Sequence, residues 1–60
     1  MTRAAAELAR LSGAPVWWRL KGAVEEGSIV NLLGGTAVVV AGARRFFVSV
    51  EVLMERELGV

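Results

Sequence analysis

Residues 28–41, SIVNLLGGTAVVVA, carry no charge and set a Gly-Gly pair between two apolar runs. The uncharged stretch extends over 27–43, flanked by Glu25-Glu26 and Arg44-Arg45, so two structures compete for it: a β-hairpin and a membrane helix. A span needs roughly 17 to 25 apolar residues, which leaves this run at the short limit. Asn31 and Gly34-Gly35 also fall near its centre, where each glycine costs a helix about 1 kcal/mol relative to alanine. Valine-rich runs joined by two glycines read instead as strands with a two-residue turn.

Working outward, VWWRLKG (16–22), SIVNLL (28–33), TAVVVAG (36–42) and RFFVSV (45–50) are each of strand length. Turn material separates them at Glu25-Glu26-Gly27, Gly34-Gly35 and Gly42-Ala43-Arg44. Upstream, TRAAAELARL (2–11) is rich in helix formers, with Thr2 placed to cap its start and Gly13 and Pro15 to end it. Leu8 and Leu11, three apart, are expected to dock this helix on the strands. The tail EVLMEREL (51–58) reads as a short turn or helix, with Val52 and Leu53 closing one end and Glu55, Arg56 and Glu57 solvated. The fold expected is mainly β: a short N-terminal helix (1–14), then a four- to five-stranded antiparallel barrel (15–60), one domain in all.

The segment EEGSIVNLLGGTAVVVAGARRFFVSVEVL resembles the SH3-like small barrels of KOW and Tudor type. It shares their rhythm: a strand entered through Gly27, a glycine hairpin, a valine-rich strand, a short turn, and a strand ending in V-x-x-L at Val50 and Leu53. The resemblance implies a small SH3-like barrel. Glu25-Glu26 departs from the positive charge that KOW domains often carry there, and no tyrosine is present for a Tudor-type aromatic cage.

Sixty residues allow one domain, which buries only roughly 60% of the surface of its unfolded chain. Hydrophobic residues other than glycine make up 55% of the chain, and 7 glycines come on top of that. Soluble domains have roughly 45–50% with glycine included, so some apolar surface is expected to be covered by another copy, another protein or another polymer. Cysteine and histidine are absent. That removes disulfide and zinc staples, the usual nucleophile and the usual general base, and it fits a reducing cytoplasm. The N-terminus has no long apolar segment of the secretory type. With a net charge of +1, any attraction to nucleic acid must come from local clustering.

Alternation supplies such a cluster. Along the first strand Val16, Trp18 and Leu20 share one face, while Trp17, Arg19 and Lys21 share the other. In the fourth, Phe46, Val48 and Val50 oppose Arg45, Phe47 and Ser49. If barrel closure makes these strands neighbours, Trp17, Arg19, Lys21, Arg45 and Phe47 form one patch with Arg44 at its rim. Rings stack on bases at about 1 to 3 kcal/mol each while cations neutralise phosphates, so the expected partner is RNA, single-stranded DNA or a ribonucleoprotein. The alternative is a protein-protein adaptor or homo-oligomer using the same patch and the apolar 28–41 hairpin, because Trp and Arg also dominate protein interfaces. A third reading has the helix cover Trp17, leaving only a second small core.

Strict alternation in the middle strands sets Ile29, Asn31 and Leu33 against Ser28, Val30 and Leu32, and Ala37 and Val39 against Thr36, Val38 and Val40. Neither strand has a clean polar face, so the 28–41 hairpin is expected to be covered on both sides, by self-association for example.

No catalytic residue, cofactor or metal site is expected. The adjacent Glu25 and Glu26 diverge in a strand and are solvated in a turn. Gly34-Gly35-Thr36 lacks the lysine and the following helix of a phosphate loop. Ser12, Ser28 and Ser49 have no histidine to activate them, and Glu51, Glu55 and Glu57 read as a charged surface.

Overall fold

The computed structural model describes residues 1–56; the expectations for residues 57–60, including a solvated Glu57, lie outside the described residues. Helix α1 runs Arg3–Ser12. The hydroxyl oxygen of Thr2 accepts from the Ala5 N–H at 3.1 Å, supplying one of the partners that a helix start lacks. Gly13 ends the helix in the left-handed region and donates its N–H to the Ala9 carbonyl.

This helix does not dock by its leucines. Leu8 and Leu11 are both 68% exposed, and the buried positions are Ala6 and Ala9. Alanine lets the helix backbone lie close on β2, and at 100° per residue the two leucines then fall on the far side. Arg3 ties the helix start to the hairpin by donating from its guanidinium to the Gly34 carbonyl.

Four strands follow: β1 (Pro15–Leu20), β2 (Ala23–Leu33), β3 (Thr36–Ala41) and β4 (Arg44–Ser49). They form one antiparallel sheet in chain order. The stretch 27–43 thus lies in β2, β3 and their turns, and no helix among the described residues is long and apolar enough to cross a membrane. The Gly34-Gly35 turn joins Leu33 to Thr36 as expected.

The first turn lies earlier than expected. Glu25, Glu26 and Gly27 are inside β2, and the chain reverses at Lys21-Gly22 with φ values of 50° and 82°. Two positive φ angles match the twist of a two-residue hairpin, a geometry natural to glycine and costly to lysine. Lys21→Asn is therefore expected to stabilise the fold by up to about 1 kcal/mol, since asparagine enters this region readily; urea midpoints of the two proteins check it.

β2 carries a bulge at Val30, where the register with β3 shifts between Ile29 and Asn31. The Asn31 side-chain oxygen accepts from the Leu32 N–H at 2.9 Å. The bulge breaks the alternation read from the sequence: Leu32 joins Ile29 on the inner face, and Asn31 and Leu33 turn outward with Ser28.

Val16, Trp18, Ile29, Ala37 and Val39 build the core from the sheet, with Ala6 and Ala9 above it. A short 3-10 turn, Val50–Val52, brings in Val50 and Leu53, whereas Val52 is 47% exposed, so of the expected pair Leu53 alone seals that end. The chain then returns to β1. Trp17 and Met54 exchange both backbone hydrogen bonds, at 3.0 and 2.8 Å, on the edge of β1 that β2 does not use.

Candidate functional site: the outward face of the sheet

Cross-strand partners point to the same side of a sheet, so the register assigns every side chain a face. One row of the outward face runs Pro15, Ser28, Val40, Arg45 from β1 to β4. On one side of it lie Trp17 beside Glu26 and Arg19 beside Val24. On the other lie Asn31, Val38 and Phe47, then Leu33, Thr36 and Ser49.

The two indoles part as alternation requires. Trp18 is 1% exposed and packs against Phe46, with ring centroids 5.7 Å apart and planes inclined at 59°. Trp17 points outward and is half-buried, its backbone held between β2 and Met54.

The expected ring-and-cation patch does not gather in one place. Trp17 and Arg19 lie on β1, and Lys21 is exposed in the following turn, while Arg45 and Phe47 lie on β4 at the far end of the sheet. Three strand spacings, about 14 Å, separate the two groups. Arg44 belongs to neither. Its register with Ala41 puts it on the inner side with Phe46, where its guanidinium lies 4.9 Å from that ring centroid and pairs with Glu25 at 3.0 Å. Arg19, Lys21 and Arg45 make no ion pair among the described residues; Arg10 is paired with Glu7.

Phe47 stands beside Val38 and between Arg45 and Ser49, with Leu33 in the next row. Phe47 is 67% exposed, Leu33 53% and Val30 48%. Val38, flanked by Asn31 and Phe47 on this outer side, is buried yet stands apart from the main core. Val30, Leu33 and Val38 were not named singly as site residues, although the alternative reading drew on the 28–41 hairpin that holds them. Their signal was present in the lack of a polar face along the hairpin, but strict alternation put Leu33 on the side of Ile29.

A groove of about 280 Å³ beside α1, between Ala5, Leu8, Ser12 and Pro15, contains one carboxylate, Glu55, and none of the expected site residues. Nowhere among the described residues do three carboxylates converge as a metal site would require. Comparison with family models, with curated proteins and with solved structures finds no match for this chain.

Proposed function

We propose that this chain is a non-enzymatic assembly module that docks a protein surface through the outward face of β2, β3 and β4. The observation that carries this reading is the coincidence of Leu33 and Phe47, both more than half exposed, near the buried Val38, with Val30 exposed at the adjoining bulge. Burying apolar surface is worth about 25 cal/mol per Å², and an aromatic ring is a favoured anchor of protein interfaces. Phe47 on an even, well-paired strand is a rigid anchor of that kind. As to fold, we read the four-stranded sheet as part of an SH3-like barrel; the 3-10 turn after β4 and the return of Met54 to β1 support that reading.

In native-host extracts the chain is expected in a complex larger than itself that survives nuclease and added salt, and is lost on Phe47→Glu. A complex that dissolves with nuclease, or that ignores Phe47→Glu, contradicts the reading.

A second reading, RNA or single-stranded DNA, is favoured at β1, where Arg19 and Lys21 are exposed, and without an ion-pair partner among the described residues, beside the half-buried Trp17. It is separated by salt. Phosphate contacts release counterions, so affinity for an oligonucleotide would fall steeply with ionic strength and would suffer in a Trp17→Ala, Arg19→Ala double variant, whereas docking at Phe47 would respond to neither.

A further inference from the structure

Resting on the docking reading above, we infer that the occupant of the outward face is a second copy of this chain, packed face to face with β4 antiparallel over the β4 of its partner. Along β4 and into the turn beyond it the sequence places Arg45, Phe47, Ser49 and Glu51 at every second residue. Arg45, Phe47 and Ser49 share the outward face by register, and Glu51 is exposed in the 3-10 turn that follows. The series runs from cation through ring and hydroxyl to carboxylate, and it is self-complementary when reversed.

A two-fold axis crossing β4 at Val48 sets Phe47 over Ser49 of the other protomer, twice, and brings each Arg45 toward the strand end that the Glu51 turn follows. The two Phe47 rings then lie about two residues apart along the strand direction, roughly 7 Å, near enough to pack on one another. Neither Arg45 nor Glu51 has an ion-pair partner among the described residues of its own chain, so both are available. The same axis lays Val38 near Thr36, and Asn31 near Leu33, across the contact.

Area favours this face over the other apolar surface. A stable dimer buries about 800 Å² per partner, about a fifth of the 3931 Å² this chain exposes. The outward face of β2, β3 and β4 is the surface broad enough to approach such an area. The stripe of Leu8 and Leu11 on α1, a helix of 10 residues and about 15 Å in length, cannot do so alone.

The test is molar mass against concentration by light scattering and sedimentation equilibrium, with far-ultraviolet circular dichroism of every variant to confirm folding. The wild type is expected to dimerise, Phe47→Glu to weaken dimerisation at least about thirtyfold, and Arg45→Glu to weaken it by a smaller factor that Glu51→Arg restores in the same chain. A wild type that stays monomeric, a Phe47→Glu variant that dimerises as the wild type does, or a charge reversal that the second substitution leaves unrescued overturns the inference. If the chain is monomeric and yet enters a Phe47-dependent complex in extracts, the second copy is refuted while protein docking stands. Loss of both refutes both.

Discussion

Gly27→Ala is expected to leave little or no folded protein at 25 °C. A Cβ on Gly27 would stand 2.0 Å from the Val40 carbonyl oxygen and 2.7 Å from Cη2 of Trp18. The first obstacle is backbone, next to the Ser28–Val40 pair of the β2–β3 ladder, and the second is a ring with 1% exposure. Neither can move aside without opening the sheet or unseating the core. Overpacking typically costs 1 to 3 kcal/mol and occasionally more, and a clash this deep belongs at the upper end, about 3 kcal/mol or beyond. A chain of this size has only about 3 to 9 kcal/mol of stability in total. Gly27 has an ordinary negative or extended φ, so the effect is steric alone. Urea unfolding followed by circular dichroism checks it: a midpoint close to that of the wild type would show that β2 and β3 are not paired as described.

The second large effect separates neighbouring tryptophans. Trp18→Ala is expected to cost about 3 to 5 kcal/mol, the range for emptying an aromatic site in a packed core, whereas Trp17→Ala, at a half-buried outward position, is expected to cost about 1 kcal/mol or less. Trp18 fills the space between Gly27 and Phe46, and its loss opens a cavity between them. Its indole N–H is buried with no hydrogen-bond partner among the described residues, a state that itself costs about 1 to 3 kcal/mol. Trp18→Phe, which deletes the orphan donor while keeping a ring, should therefore be much milder than the alanine variant. Equal losses from the two alanine substitutions would refute the division of the indoles between faces.

Much of this architecture is legible in the chain. The Gly34-Gly35 hairpin, β3, β4 and the capped helix follow from glycine placement, β-branched runs and Thr2, all of which act over a few residues. Alternation also assigned Trp17 and Trp18, and Phe46 and Phe47, to opposite faces, because β1 and β4 are regular. The errors arise where one residue resets a phase or where packing distance decides. The bulge at Val30 inverts every later face of β2, and nothing in SIVNLL announces it except an asparagine able to bond its neighbour's N–H. The helix presents Ala6 and Ala9 inward because a core this thin needs backbone and sheet close together, a tertiary demand that overrides the greater hydrophobicity of Leu8 and Leu11.

The exposure of most expected patch residues was legible one by one, but their grouping was not. Trp17, Arg19, Lys21, Arg45 and Phe47 all lie where solvent reaches them to some degree, yet grouping them required β1 and β4 to be neighbours. The structure seats Met54 against β1 instead. Arg44, its side chain still 61% exposed, stands on the other side of the sheet, where Phe46 and Glu25 offer it a ring face and a carboxylate. Neither relation leaves a mark within one strand of sequence.

The most direct test of the central claim, that β4 presents a face to a second copy, is a series of amide correlation spectra recorded from micromolar to millimolar protein. Concentration-dependent shifts are expected at Val38, Arg45, Phe47, Ser49 and Glu51, with Ala6, Ala9, Leu8 and Leu11 unmoved, and they should vanish in Phe47→Glu. Shifts that cluster on the helix, or on Trp17 and Arg19, or that persist in the variant, would contradict it.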